Sequence, residues 1–99
     1  MISSNNYVVV TKGVSVPGTA EQCSSLYILE GMPVTVTNRR DASGNMYVGF
    51  SQTDAQTSAT RKILVPGQSA DFYVDNLNKL WVDADSAGDL LELSVPKRP

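Results

Sequence analysis

Histidine is absent from this sequence, and cysteine occurs once, at Cys23. The first absence removes the commonest general acid/base and the commonest metal ligand. The second excludes a disulfide or a thiolate metal cluster within one chain, so packing alone must hold the fold. Basic residues never run beyond a pair and the formal net charge is −2, which leaves no electrostatic footprint for nucleic acid. No apolar run approaches the length of a membrane span. Residues 1–10 carry neither lysine nor arginine and only a three-valine run, which fits neither a signal peptide nor an anchor. A soluble product of a cytoplasm is the expectation, with no membrane and no nucleic acid among its partners.

Helix-forming stretches of alanine, leucine, glutamate and lysine are scarce as well. What the sequence has instead is valine, its commonest residue at twelve, and eighteen serines and threonines, a composition that favours strands. At 99 residues, 41% hydrophobic and 18% charged, the chain has the makeup of one small globular domain. Period-two alternation recurs at 7–11, 26–29, 33–37, 46–51, 62–65, 71–74, 80–85 and 90–95, each stretch bounded by turn residues. The fold expected is all-β: a single small sandwich or barrel of about seven to eight short, mainly antiparallel strands over residues 1–95. Residues 96–99 then form a loose tail.

Alternation also assigns faces. Leu26, Ile28, Val34, Val36, Met46, Val48, Phe50, Ile63, Val65, Phe72, Val74, Leu80, Val82, Leu91, Leu93 and Val95 are expected to point inward. The short turn-rich connections favour hairpins, and residues 39–45 read as a hairpin loop with Gly44 or Asn45 at positive φ. Residues 75–79 read as a tight corner. Residues 52–60 hold no apolar side chain larger than alanine and are expected as an exposed, mobile loop.

Charge is uneven. Six acids and one lysine between Asp71 and Val95 give that stretch a net of −5, against +1 for residues 1–70. An acidic surface on the C-terminal hairpins is expected, with Arg39, Arg40, Arg61 and Lys62 as its basic counterpart if their loops share one end.

Asp83, Asp85 and Asp89 before and after Gly88 resemble the opening of a calcium loop, but Ala87 and Ser94 stand where oxygen ligands are required. No metal or other cofactor is therefore expected. Asp83 and Asp85 share a strand face roughly 7 Å apart, yet nothing in so short a chain predicts the cleft that glycoside chemistry needs. Without histidine a serine triad is excluded, and no catalytic residue is assigned. Trp81 falls on the same face as Asp83 and Asp85, and Tyr73 on that of Asp71 and Asp75. Large aromatics on outward positions call for a partner, a sugar, or a second packing layer. Trp81 and Tyr73, rimmed by Asp71, Asp83 and Asp85, are the candidate partner interface, with Tyr27 and Tyr47 open to the same readings. Cys23 is expected to be an inert, partly buried small residue.

Asn38, the strand Met46-Tyr47-Val48-Gly49-Phe50-Ser51, the turn region Leu64-Val65-Pro66-Gly67-Gln68-Ser69 and the run Asn76-Leu77-Asn78-Lys79-Leu80-Trp81-Val82-Asp83-Ala84 resemble small structural proteins of tailed bacteriophages. These are β-sandwich proteins of capsid decoration and head-fibre type. The segment 14–25 is similar to that family's opening hairpin, whereas Cys23 stands where an aliphatic residue is more usual. The resemblance implies a non-enzymatic virion protein that binds the assembled shell through the major capsid protein or another virion protein, with a homotrimer as one assembly it allows. The competing expectation is a host-surface or glycan-binding spike or fibre domain.

Overall fold

The computed structural model describes residues 7–98. The first six residues, which the reading of the N-terminus includes, and Pro99 of the expected tail lie outside the described residues. Valine- and threonine-rich segments supply most of the strands: β1 (Tyr7–Gly13), β2 (Glu21–Gln22), β3 (Val34–Asn38), β4 (Met46–Gly49), β5 (Lys62–Leu64), β6 (Ser69–Phe72), β7 (Trp81–Ala84) and β8 (Leu90–Pro96). Among the described residues one α-helix of five residues, α1 (Gln52–Gln56), joins β4 to β5, and a 3-10 turn at Leu77–Lys79 leads into β7. Within the described residues the fold is all-β, as expected.

Two antiparallel sheets face each other, one in the order β1-β8-β3-β6 and the other β2-β7-β4-β5. First pairs with last, second with seventh, third with sixth and fourth with fifth, which is the strand order of a jelly roll. One long antiparallel ribbon, folded at its middle and rolled, produces this arrangement. Among the described strands only β4 and β5 are both consecutive and paired. The expected hairpins are therefore corrected: residues 39–45, 14–20 and 85–89 each cross from one sheet to the other. Gly44 and Asn45 do not take positive φ; Gly18, Gly31, Gly67 and Gly88 do. A turn signal fixes that the chain reverses, but not whether it returns beside its predecessor or onto the facing layer.

The core lies between the sheets, with Val34, Val36, Met46, Val48, Leu80, Val82, Leu91, Leu93 and Val95 buried as expected. Leu64 and Leu77 join them. Three expected positions are overturned, two by register and one by the end of a strand. Leu64 pairs with Met46 and Ile63 with Tyr47, so Leu64 faces in while Ile63 and Val65 are exposed. In the run Lys62-Ile63-Leu64-Val65 apolar residues fall on both faces, so the alternation there does not decide which face turns inward. Phe50, 58% exposed, lies beyond the end of β4 and packs edge-on against Phe72 at the rim, ring centroids 6.1 Å apart.

Residues 26–29 contribute only two isolated bridges, Tyr27 with Asn76 and Ile28 with Lys97. The second bridge corrects the loose tail. Pro96 ends β8, its carbonyl accepts the Leu29 N–H, and the Arg98 N–H donates to the Tyr27 carbonyl. Residues 52–60 are exposed as expected except at Asp54 and Ala55, but 52–56 form a helix where a loop was expected. Ser51 caps α1, its hydroxyl accepting the Asp54 N–H, and Ala55 is fully buried.

Candidate functional site

The two sheets differ in what covers their outer faces. On β4 and β7 the outward positions are Tyr47, Gly49, Trp81 and Asp83, with Tyr47 opposite Asp83 and Gly49 opposite Trp81. Helix α1 lies on this face. A Cβ built on Gly49 would sit 2.5 Å from the Ala55 nitrogen, so only glycine lets the helix approach. Segment 14–20 folds over the same face. The Gly18 N–H donates to Asp83 Oδ1 at 2.9 Å, and Gln56 and Gln52 hold both backbone groups of Ala20. Asp83 is 3% exposed as a result. Arg61 adds the last piece, its guanidinium 3.6 Å above the Tyr47 ring. The Tyr47 hydroxyl donates to Asp85 at 2.6 Å, and that carboxylate, followed by burial, raises the phenol above its ordinary range.

The five expected interface residues are thus not one surface. Trp81, Asp83 and Asp85 belong to β7 and its end, where Trp81 is part-buried, Asp83 buried and only Asp85 exposed. Asp71 and Tyr73 belong to the edge of the other sheet, and both are exposed. The acidic stretch is dispersed for the same reason, since β7 and β8 lie in opposite layers. Its carboxylates serve separate donors. Asp71 accepts from the Thr35 hydroxyl, and Glu92 lies 4.0 Å from Arg39. Asp89 receives the backbone N–H groups of Ser43 and Gly44 together with the Ser43 hydroxyl. Those amides hold Asp89 below the usual carboxylate range. Among the described residues no group of three histidine, cysteine, aspartate or glutamate side chains is placed to hold a metal. The basic residues divide too. Arg39 and Arg40 precede β4, whereas Lys62 pairs with Val48 near its far end.

The first sheet carries no such cover among the described residues. Its outward rows are Val9, Ser94, Thr35 and Asp71, then Thr11, Glu92, Thr37 and Ser69, polar or charged side chains except for Val9. At its end, just past β6, Tyr73 stands 70% exposed. It lines a groove of about 480 Å³ together with Ile28, Met32, Val74, Glu30, Asp75 and Arg98. Arg98 also lies over the ring of Tyr27, 5.2 Å from its centroid, and Tyr27 is itself exposed. Asn76 anchors this end. Its Oδ1 accepts the N–H groups of Leu26 and Asn78, and its Nδ2 donates to Ser25. Sequence reasoning picked Tyr73 and Asp71 from alternation but had no means of finding Met32 and Arg98, which reach the groove only through the bridges at 27–28.

An eight-stranded jelly roll with one clad face, one face left uncovered by the described residues and an aromatic groove at the end of the latter defines the class of this molecule. No protein-family model, curated protein or solved structure matches the chain.

Proposed function

We propose that this protein is a non-enzymatic structural component of a phage virion, a decoration or cement protein that binds the assembled shell. The observation that carries the proposal is the bare end of the first sheet, where Tyr73 and its groove offer an aromatic centre with a polar rim. Interfaces are built this way, with a desolvated aromatic anchor ringed by charged and polar groups. Jelly rolls serve in viral capsids and in lectins alike, so the fold is compatible with the reading without selecting it. Repetition on a lattice multiplies a small contact into a large total stabilisation.

The interface is now assigned to Tyr73 and Asp71, with Trp81 and Asp83 given to the clad face. The test is occupancy on purified capsids, alongside thermal melts. Tyr73→Ala is expected to weaken shell binding by about 2 kcal/mol with the fold intact, while Trp81→Ala lowers the melting temperature. A parent protein that does not bind capsids defeats the proposal.

A glycan-binding spike is the second reading, favoured by one feature of the same groove. An exposed tyrosine ring beside Glu30, Asp75 and Arg98 offers a sugar both a stacking plane and hydrogen-bonding groups. Glycan-array binding abolished by Tyr73→Ala would place this reading ahead of the first.

A further inference from the structure

Strand β1 carries backbone hydrogen-bonding groups that β8, its one neighbour among the described residues, does not use. In an antiparallel ladder the N–H and C=O of a residue point to the same side, and that side alternates along the chain. The Pro96 carbonyl accepts the Leu29 N–H, so Pro96 faces away from β1, and Val95, Leu93 and Leu91 face towards it. Their partners Val8, Val10 and Lys12 bond to β8. Tyr7, Val9 and Thr11 are left with N–H and C=O directed out of the sheet edge, and none of them makes a backbone bond to a loop or turn among the described residues. The opposite edge follows the same logic. The Asn38 N–H donates to the Gln68 carbonyl, which turns Val34 and Val36 to β6 and leaves Ser69 and Asp71 outward.

We propose that β1 pairs edge to edge with β1 of a second copy of this chain, joining their sheets into one continuous sheet about a two-fold axis. Charge selects this edge and this partner. β6 carries Asp71 at its outward positions, β5 begins with Lys62 directly after Arg61, and β2 is two residues long. Charge of this kind is how exposed edges are normally guarded against self-association. Residues 7–11 contain no charge and no proline, and their register with β8 runs without a bulge. The segment is also self-complementary. With Val9 opposite Val9 of the second copy, Tyr7 falls opposite Thr11, and every outward N–H meets an outward C=O. Val9, 68% exposed, is then covered by its own counterpart, and the two-fold closes at two copies.

Sedimentation equilibrium on the full chain, with amide hydrogen exchange, tests the proposal. A concentration-dependent monomer–dimer equilibrium is expected, in which the Val9 and Thr11 amides gain protection as the dimer forms while Val8 and Val10 are protected throughout. Val9→Lys is expected to weaken dimerisation about tenfold or more, since like charges then face each other across the pair. Val16→Lys, on an exposed loop, leaves it unchanged. Should Val9→Lys not fold in a thermal melt, Thr11→Pro removes an outward N–H without touching the ladder to β8 and is expected to weaken the dimer likewise. A monomer at all concentrations, a trimer, or a dimer indifferent to these substitutions with the Val9 amide still exchanging rapidly overturns the proposal.

Discussion

Asp89 and Cys23 show how single residues are committed by what surrounds them. The Ser43 and Gly44 amides favour the charged form of Asp89, which depresses its folded-state pKa below the ordinary 3.8. A depressed carboxylate contributes stability that is complete above the unfolded-state value and is lost as pH falls through the folded one. Asp89→Asn is therefore expected to lower the melting temperature near about pH 6, with the gap to the parent closing below about pH 4. Melts across that window check it. Cys23 is buried, and burial pushes its thiol up to about 11. Since the thiolate is the reactive form, a thiol reagent at neutral pH is expected to label Cys23 only as fast as the protein unfolds. Rapid labelling of the folded protein would contradict the burial.

At the scale of elements, α1 is a helix too short to stand alone and exists because of what it packs on. Ser51 satisfies its first turn, Ala55 is small enough to be buried, and Gly49 has no side chain to hold it off. Gly49→Ala would drive a methyl group into helix backbone, and overpacking of this kind costs about 2 kcal/mol or more. The expected signature is a lower melting temperature together with faster exchange of the Ala55 amide, which donates to the Ser51 carbonyl. An unshifted melt would mean that α1 lifts away freely. β1 and β8 sit at the other extreme, paired over all seven residues.

For the whole molecule, the jelly-roll order sets the kinetics of folding. β1 meets β8 and β2 meets β7, so nearly every ladder joins segments far apart in the chain, and the entropy of closing those loops must be met before the contacts form. Folding on a timescale of about milliseconds to seconds is expected. Stopped-flow refolding followed by Trp81 fluorescence measures it, and a microsecond phase carrying the whole amplitude would refute it.

By itself the sequence determined the class of the fold, because valine and threonine in alternation fit a pleated, half-buried surface and little else. It also determined most of the core and the outward placing of Tyr73 and Asp71, since period two assigns faces without knowledge of neighbours. Which sheet each strand joins was decided only by tertiary structure, because turn residues such as Pro66 and Gly67 serve a hairpin and a crossover equally well. The same holds for the two outer faces. Trp81 and Tyr73 look alike in sequence, each alternating with core residues beside acids. One is clad because Gly49, thirty-two positions upstream of Trp81 in the chain, admits a helix on its layer, while the other stands at the end of the layer that no described segment covers.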